Sequence, residues 1–260
     1  MEKKPQMHVI KIGGNIIDNP DALNSFLTNF ALIPGFKILV HGGGKIATQM
    51  AKNLGIETQM VDGRRVTDEK SLQIVTMVYA GWINKSMVAN LQSKKCNAIG
   101  LTGPDGGLIK AKKRNPIPID FGFVGDIVEV NTKGINDLLQ AGFSPIFAPI
   151  TADEEGQLLN TNADTLAQSI AIGLSSYFDV DLVYCFEKRG VLKEPTDDTS
   201  VIPMINETSY ATLKKDGIVT EGMIPKLENA LLAISKGVKL VRLCHANDLN
   251  DASQGTQIKA

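Results

Sequence analysis

Residues 7–15 read Met7-His-Val-Ile-Lys-Ile-Gly-Gly-Asn15, an apolar run with a lysine near its centre and two glycines at its end. A strand buried on both faces of a parallel sheet is normally an uninterrupted apolar run, so Lys11 departs from that pattern. A buried ammonium group without a partner is costly, whereas glycines let backbone N–H groups approach an anion. The stretch predicts a strand, for which two interpretations are open. Either Lys11 and the glycines bind a phosphate group, or the strand lies at a sheet edge and Lys11 points to water.

The same order of strand, glycines and helix recurs along the chain. Residues 37–40 form a second apolar run that leads into Gly42-Gly-Gly44, and a helix is predicted from about 45 to 54. Residues 98–101 again lead into a glycine-rich loop at 103–107. This alternation is typical of an α/β fold with a parallel sheet.

Two later segments are assigned from their apolar patterns. Residues 108–130 alternate polar and apolar side chains, which predicts a half-exposed hairpin outside the main sheet, with the basic run 112–114 at its solvated end. Residues 145–150 are predicted as one strand.

Composition excludes several classes of protein. The chain has 260 residues and a formal net charge of −1, which suits one large α/β domain and gives no support for binding nucleic acid or an anionic membrane. Its three cysteines are far apart and indicate neither a disulfide framework nor a zinc site. There is no signal peptide and no apolar run of about 18 residues, so we expect a cytoplasmic protein.

Three glycine loops after strands favour a phosphate-rich ligand, because ligands bind outside the carboxyl ends of strands in open parallel sheets. Ordinary tight turns are the alternative. The second loop does not fit the Walker A pattern but satisfies G-x-G-x-x-A through Gly42, Gly44 and Ala47, so a dinucleotide-binding oxidoreductase is a rival interpretation.

Lys226 is the second unusual lysine. It follows Pro225, a residue that suits the first helical position, so Lys226 should lie in the first turn of a helix, where the dipole disfavours a cation by about 0.3–1 kcal/mol. A bound anion would reverse that effect; a solvated lysine is the alternative. Asn162 and Asp164 likewise suit the start of a helix as N-cap and first-turn acid.

Five motifs in this order resemble those of the amino acid kinase family: Lys11-Ile-Gly-Gly-Asn15, His41-Gly-Gly-Gly44, Gly63-Arg-Arg-Val-Thr67, Asn160-Thr-Asn-Ala-Asp164 and Gly222-Met-Ile-Pro-Lys226. The resemblance implies a three-layer α/β/α sandwich around an open, mainly parallel sheet. It implies one domain over 1–260, with an acceptor-binding lobe at about 1–173 and an ATP-binding lobe at about 174–260. The motifs are most similar to those of members that phosphorylate the γ-carboxylate of an N-acylated glutamate in arginine biosynthesis.

The resemblance also implies a role for each matching residue. Lys11 and Lys226 would flank the transferring phosphoryl group, Asp164 would organise both lysines, and Gly13 and Gly14 would form the phosphate loop. The acylated amino acid would contact Gly43, Gly44, Arg65 and Asn160. Arg65 would bind its α-carboxylate. The nucleotide would contact Glu187, Gly190, Ile218, Val219 and Thr220. No metal-binding side chain is implied, because Mg²⁺ would arrive on the ATP phosphates.

Some features depart from the family or leave alternatives open. The segment 186–191 reads Phe-Glu-Lys-Arg-Gly-Val where family members usually have an Asp-Val-x-Gly loop, which affects the expected nucleotide contacts. The chain starts almost at its first strand, without the additional N-terminal helix of arginine-inhibited hexamers, so the resemblance favours a homodimer without arginine feedback. The acyl group, acetyl or succinyl, stays open, and glutamate, aspartate, uridylate and carbamate kinases and a non-catalytic sensor are further alternatives.

Overall fold

The apolar run that opens the chain is a strand, and strands and helices alternate after it. The computed structural model describes residues 3–61, 64–194, 196–219 and 223–260, apart from the side chain of Pro225. The strands of these residues are β1 (Gln6–Ile12), β2 (Phe36–His41), β3 (Met60–Val61), β4 (Arg64–Arg65), β5 (Ala98–Leu101), β6 (Ile109–Lys113), β7 (Gly125–Val130), β8 (Ser144–Phe147), β9 (Ile150–Ala152), β10 (Leu158–Asn160), β11 (Asp179–Phe186), β12 (Met204–Ile205), β13 (Leu240–His245) and β14 (Thr256–Ile258). Their helices are α1 (Gly14–Ile17), α2 (Pro20–Leu32), α3 (Gly44–Asn53), α4 (Glu69–Val75), a π-helical segment (Thr76–Ile83), α5 (Asn84–Ser93), α6 (Thr132–Gln140), α7 (Ala163–Leu174), α8 (Glu207–Lys215) and α9 (Ile224–Ser235).

Several helices begin where the sequence supplies a capping side chain. Asn19 accepts hydrogen bonds from two backbone N–H groups of α2, and Pro20 takes the first helical position. Asp68 caps α4 by accepting from the N–H group of Ser71 at 2.7 Å. Asn131 does the same for α6 through the N–H group of Gly134. These side chains satisfy donors that a helix cannot pair internally.

The chain packs as two compact units, one made of the described residues of 1–37 and 167–260, and the other of the described residues of 38–166. We call them unit 1 and unit 2. The N-terminal strand therefore belongs with the C-terminal part of the chain. The assignment of acceptor and ATP binding to lobes at about 1–173 and 174–260 concerns ligands and stays a prediction.

Unit 1 contains five neighbouring strands in the order β12-β14-β13-β11-β1. Strands β13, β11 and β1 run parallel, and β14 is antiparallel to β13. Lys11 pairs in register with Tyr184, and Cys185 pairs with Cys244. Helix α9 packs against β13 and β14, and α1 packs against β11. The chain thus delivers both unusual lysines, on β1 and α9, to the same unit.

Unit 2 contains the parallel strands β2, β8 and β5, in that order. A second sheet has the order β10-β9-β6-β7, in which β6 and β7 are the antiparallel hairpin predicted for 108–130. Strands β3 and β4 form a small hairpin. The prediction that the 108–130 hairpin lies outside the parallel sheet is confirmed.

The α/β class and the mainly parallel sheet are confirmed, and one predicted strand is wrong. Residues 145–150 do not form a single strand, because Ala148 and Pro149 separate β8 from β9, which belongs to the second sheet. Pro149 has no N–H group with which to extend the hydrogen-bond ladder beyond the end of β8, and the chain passes to the second sheet there. Among the described residues, no helix has both the length and the apolar character needed to cross a membrane.

Candidate active site

The phosphate loop predicted at the end of β1 is a tight connection into α1. The N–H group of Gly13 donates to the carbonyl oxygen of Cys185 at 2.8 Å. A Cβ atom at position 13 would lie 3.3 Å from that oxygen and 3.5 Å from Cβ of Phe186, so the loop is held close to β11. Gly14 then opens α1, whose first-turn N–H groups have no intrahelical partner. The loop can therefore offer backbone donors to an anion.

Lys226 lies in the first turn of α9, as predicted. Its Nζ is 5.2 Å from the centroid of the Phe186 ring, a cation–π contact. Such a contact stabilises an exposed ammonium by about 0.5–1 kcal/mol, which is comparable to the unfavourable helix-dipole term. Phe186 also neighbours Gly13. The phosphate loop and Lys226 thus share one aromatic side chain in unit 1.

Lys11 is half-buried on β1, opposite Tyr184 on β11. Partial burial does not match a lysine that simply points to water. Lys11 follows the buried Ile10 and precedes Ile12 and the glycine loop, so its side chain lies on the opposite face of β1 from these two isoleucines. Its role at a phosphoryl group stays a prediction.

A cavity of about 140 Å³ in unit 1 brings together three of the five residues predicted to contact nucleotide. Its lining residues are Lys188, Gly190, Val191, Leu192, Ile218, Val219 and Met223. Val191 and Val219 are buried, so this part of the cavity lining is apolar. Lys188 adds a positive charge to the lining. Glu187 does not line this cavity, and instead accepts a hydrogen bond at 2.8 Å from Nδ2 of Asn15. Thr220 lies outside the described residues.

A second cavity, of about 180 Å³, lies in unit 2 and contains all four residues predicted to contact the acylated amino acid. Its lining residues are Gly42, Gly43, Gly44, Met60, Arg64, Arg65, Tyr79, Arg114, Val124, Pro149, Asn160, Thr161, Asn162 and Ala163. Three are arginines, and none of these described lining residues is acidic. The start of α3 adds backbone N–H groups and the positive end of a helix dipole. The charge of this lining suits an anion.

Arg65 is the most firmly held cation of this cavity. It is 8% exposed, and its Nη2 donates to the carbonyl oxygen of Gly44 at 2.9 Å and to Oγ1 of Thr48 at 2.8 Å. Nη1 donates to Oγ1 of Thr58 at 3.2 Å. These acceptors are neutral, so they orient the guanidinium without neutralising its charge. A ligand carboxylate can supply that countercharge.

Asn160 and Tyr79 shape the same cavity. Asn160 donates from Nδ2 to Oγ1 of the buried Thr67 at 3.0 Å, which fixes the amide plane. Burial raises the pKa of Tyr79, while the nearby Arg65 opposes that shift, so the phenol stays neutral at physiological pH. The ring of Tyr79 also packs close to Gly43. No signal in the sequence pointed to Tyr79.

Arg114 corrects the interpretation of 112–114 as only a solvated hairpin end, because it lines the cavity. Its Nε donates to Oδ1 of Asp126 at 3.0 Å, and its guanidinium carbon lies 5.6 Å from the centroid of Phe121. The contacts with Asp126 and Phe121 therefore fix the position of the Arg114 guanidinium. Sequence reasoning missed it because the ion pair depends on how β6 and β7 pair across a connection that has no regular pattern.

The buried His41 stabilises the glycine loop through hydrogen bonds. Its Nδ1 donates to the carbonyl oxygen of Gly42 at 2.8 Å, and its Nε2 accepts from Nδ2 of Asn84 at 3.1 Å. Burial lowers the pKa of His41 from 6.5 to about 4, so the imidazole is neutral at pH 7. His41 therefore has a structural role, since its hydrogen bond to Gly42 orients the glycine loop.

Asp164 lies in the first turn of α7, as the sequence predicts. Its backbone N–H group donates to Oδ1 of Asn162 at 2.9 Å, and Thr165 donates to the same oxygen at 3.0 Å. Asn162 is thus the N-cap, and Asp164 is an acid in the first turn of the helix. Its proposed part in organising two lysines stays a prediction. The described residues contain no cluster of three or more His, Cys, Asp or Glu suited to a metal ion.

Comparisons with known proteins agree with these motifs. The model of the amino acid kinase family matches residues 6–245. The chain is 54% identical to an acetylglutamate kinase of Cytophaga hutchinsonii, over 94% of this chain and 93% of that enzyme. It is 50% identical to an acetylglutamate kinase of Phocaeicola vulgatus, over 98% and 99% of the two chains. A structure of N-acetylglutamate synthase from Neisseria gonorrhoeae with coenzyme A and N-acetylglutamate has the same fold, with a TM-score of 0.83 and 20% identity over 99% of this chain and 60% of that one.

Proposed function

Because the chain belongs to the amino acid kinase family, we propose that it transfers the γ-phosphoryl group of ATP to the γ-carboxylate of N-acetyl-L-glutamate. The product is an acyl phosphate, and the reaction is the second step of arginine biosynthesis. The observation that carries this proposal is the cavity of unit 2, whose described lining includes three arginines and a glycine-rich helix start but no acidic residue.

Unit 2 is proposed to hold the acceptor. Arg65 binds the α-carboxylate, because its guanidinium is oriented by neutral oxygens and lacks a carboxylate partner among its contacts with Gly44, Thr48 and Thr58. A bidentate pair with a carboxylate is the strongest hydrogen-bonded arrangement open to it. Asn160 contributes an amide that Thr67 holds in place. The apolar side chains of Met60 and Val124 suit the uncharged part of the ligand.

Unit 1 is proposed to hold the donor nucleotide. The cavity lined by Gly190, Ile218 and Val219 suits an apolar ring system, and Lys188 at its lining suits phosphate. The Gly13 loop and Lys226, joined through Phe186, then provide donors for the phosphates. Gly190 is required for packing, since a Cβ atom there would lie 2.7 Å from Oγ1 of Thr256.

The chemistry needs positioning and charge stabilisation rather than acid–base catalysis. A carboxylate is already ionised at neutral pH, so no general base is required to activate it. Lys11 and Lys226 are proposed to offset the negative charge of the transferring group, and preorganised donors of this kind are each worth about 10²–10³ in rate. Asp164 is proposed to orient the two lysines. Mg²⁺ enters with ATP, bound mainly through phosphate oxygens and water.

A substrate with an N-succinyl group is the second candidate. Arg65 accounts for one carboxylate, yet Arg64 and Arg114 line the same cavity. Arg114 forms an ion pair with Asp126, whereas Arg64 is exposed. The terminal carboxylate of a succinyl group would give these cations a partner that an acetyl group does not.

The enzyme is proposed to work as a homodimer in the cytoplasm. Trp82 is 71% exposed and Met77 is 58% exposed on the π-helical segment of unit 2. Large exposed apolar side chains on one helix are typical of an interface. Light scattering should give twice the monomer mass, and Trp82→Glu should shift the protein to monomers; a monomeric wild-type protein would refute the dimer.

A coupled ADP-release assay tests the activity. N-acetylglutamate, N-succinylglutamate, glutamate, aspartate and UMP are offered at equal concentration with Mg²⁺ and ATP. The proposal expects turnover with an N-acylated glutamate at least about 10²-fold above that with glutamate, because a pocket that pairs a substrate group rejects analogues without it. The ratio of acetyl to succinyl turnover separates the two candidates. Preference for glutamate, aspartate or UMP would overturn the assignment, and hydroxylamine trapping of the acyl phosphate identifies the product.

A further inference from the structure

Two cysteines that the proposed reaction does not use lie side by side in unit 1. Cys185 on β11 and Cys244 on β13 are register partners in parallel strands. Their Sγ atoms are 3.8 Å apart, and the residues are 1% and 0% exposed. In-register neighbours project to the same face of a sheet, so the two thiols point the same way.

The backbone spacing of this pair permits a disulfide. Adjacent strands lie about 4.8 Å apart, inside the range of about 4.4–6.8 Å between Cα atoms of bonded cysteines. Closing the remaining gap between the sulfurs requires only side-chain rotation and a small strand adjustment. A link with imperfect geometry is easier to reduce, so the bond would be reversible. Cys96, the third cysteine, lies in unit 2 and serves as a buried control.

The surroundings of the two thiols differ. The hydrogen bond with Cys185 lowers the pKa of Cys244, burial opposes this shift, and the guanidinium of Arg242 adds to the lowering. Arg242 precedes Cys244 by two residues on the same face of β13, and backbone carbonyls of Leu249 and Asp251 hold its guanidinium in place. Cys185 keeps its proton, because the hydrogen bond to Cys244 and burial both raise its pKa.

A cavity lies beside the residues that precede the two cysteines on their strands. A cavity of about 170 Å³ lies on the same face of the sheet and is lined by Val183 and Arg242, each two residues before one of the cysteines. Hydrogen peroxide is little larger than water and fits such a space, whereas a peptide thiol does not. This cavity shares no lining residue with the cavity proposed for the nucleotide.

The pair is directly connected to the phosphate loop. The carbonyl oxygen of Cys185 accepts the hydrogen bond from Gly13, and the next residue, Phe186, carries the cation–π contact with Lys226. A bond that pulls Cys185 toward β13 therefore acts on both groups. A misplacement of about 1 Å in a catalytic arrangement can lower a rate about 10²-fold.

We propose that Cys185 and Cys244 form a peroxide-sensitive dithiol that closes to a disulfide and slows phosphoryl transfer. The Cys244 thiolate attacks one oxygen of hydrogen peroxide and breaks the O–O bond, which gives a sulfenic acid and, after protonation, water. The Cys185 thiol attacks this sulfur and loses its proton, and the expelled hydroxide leaves as a second water. Two thiols thus transfer two electrons to one peroxide and yield one disulfide and two waters.

The test begins with the oxidation state, which does not depend on the kinase activity. The full-length protein is treated with hydrogen peroxide, denatured and titrated for free thiols, and its non-reduced peptides are mapped by mass spectrometry. Wild-type protein should fall from three titratable thiols to one and yield a peptide pair linked through Cys185 and Cys244. Cys96→Ser should give the same link, whereas Cys185→Ser and Cys244→Ser should not. Absence of the linked pair in oxidised wild-type protein would overturn the proposal.

Turnover is then measured before oxidation, after it, and after reduction with dithiothreitol. The proposal, which for this readout rests on the proposed function, expects a loss of about 10–100-fold that the reductant restores in wild type and Cys96→Ser. Cys185→Ala and Cys244→Ala should resist the loss. A disulfide that forms with unchanged turnover would overturn its effect on catalysis, and failure of every substrate before oxidation would concern the proposed function instead.

Discussion

The guanidinium of Arg65 is joined to the carbonyl oxygen of Gly44 by a hydrogen bond of 2.9 Å. This bond ties the residue proposed to bind the α-carboxylate to the glycine loop at the start of α3. A substitution that moves the Arg65 guanidinium is therefore expected to move the glycine loop, and a substitution in the loop is expected to move the guanidinium.

Arg65→Lys should weaken acceptor binding although it keeps the positive charge. Lysine cannot reproduce the planar fork that contacts both Gly44 and Thr48 and can still pair with a carboxylate. We expect the KM for the acylated glutamate to rise about 10–100-fold, since a charged hydrogen bond contributes about 1.5–3 kcal/mol. Steady-state kinetics with each substrate varied in turn measure the effect. A change confined to the KM for ATP would contradict the placement of Arg65.

Lys226→Ala and Lys11→Ala should lower kcat far more than they raise either KM. Their proposed partner is the charge that develops during transfer, so each loss should be about 10²–10³-fold in kcat. Lys236→Ala, at the other end of α9, is the matched control and should leave turnover near the wild-type value. If Lys226→Ala and Lys236→Ala behaved alike, the two-lysine mechanism would be refuted.

Gly43→Ala should lower the stability of the protein, whereas Gly44→Ala should not. Gly43 has a φ of 151°, and a Cβ atom there would overlap Cδ1 of Ile83 and lie 3.1 Å from Cδ1 of Tyr79. Position 44 is helical, and a Cβ atom added there would meet no neighbouring group within 4 Å. We expect Gly43→Ala to lower the free energy of unfolding by about 1–3 kcal/mol, and Gly44→Ala to leave it unchanged or raise it by up to about 1 kcal/mol. Urea unfolding compares them, and equal losses would contradict this geometry.

Stability should decrease as the pH falls below about 6.5. His41 is neutral in the folded protein because burial lowers its pKa to about 4, whereas an unfolded histidine titrates near 6.5. The unfolded state therefore binds the proton first, and up to about 3 kcal/mol is lost between pH 6.5 and 4. The lowered pKa of His8, caused mainly by burial, acts in the same direction. NMR titration of each imidazole separates the two, and protonation of His41 near pH 6.5 in the folded protein would disprove the prediction.

Much of the α/β pattern could be predicted because its signals are local. Apolar runs end in glycines, and capping residues such as Asn19, Asp68 and Asn131 mark where helices begin. The strand predicted over 145–150 failed because the run stays apolar through Pro149, while the structure changes sheets there. Burial in two different sheets leaves the same apolar signature.

In the candidate site, too, some features could be predicted from the sequence and others could not. The sequence by itself determined that Lys11 and Lys226 stand in positions where a cation is unfavourable, and its motifs identified Gly43, Gly44, Arg65 and Asn160. Only the tertiary structure decided that these last four line one cavity, that Arg114 and Tyr79 join them, and that Cys185 faces Cys244. Motifs and caps depend on neighbours within a few residues, whereas strand register and cavity lining depend on contacts between distant segments, which leave no periodic signal in the chain.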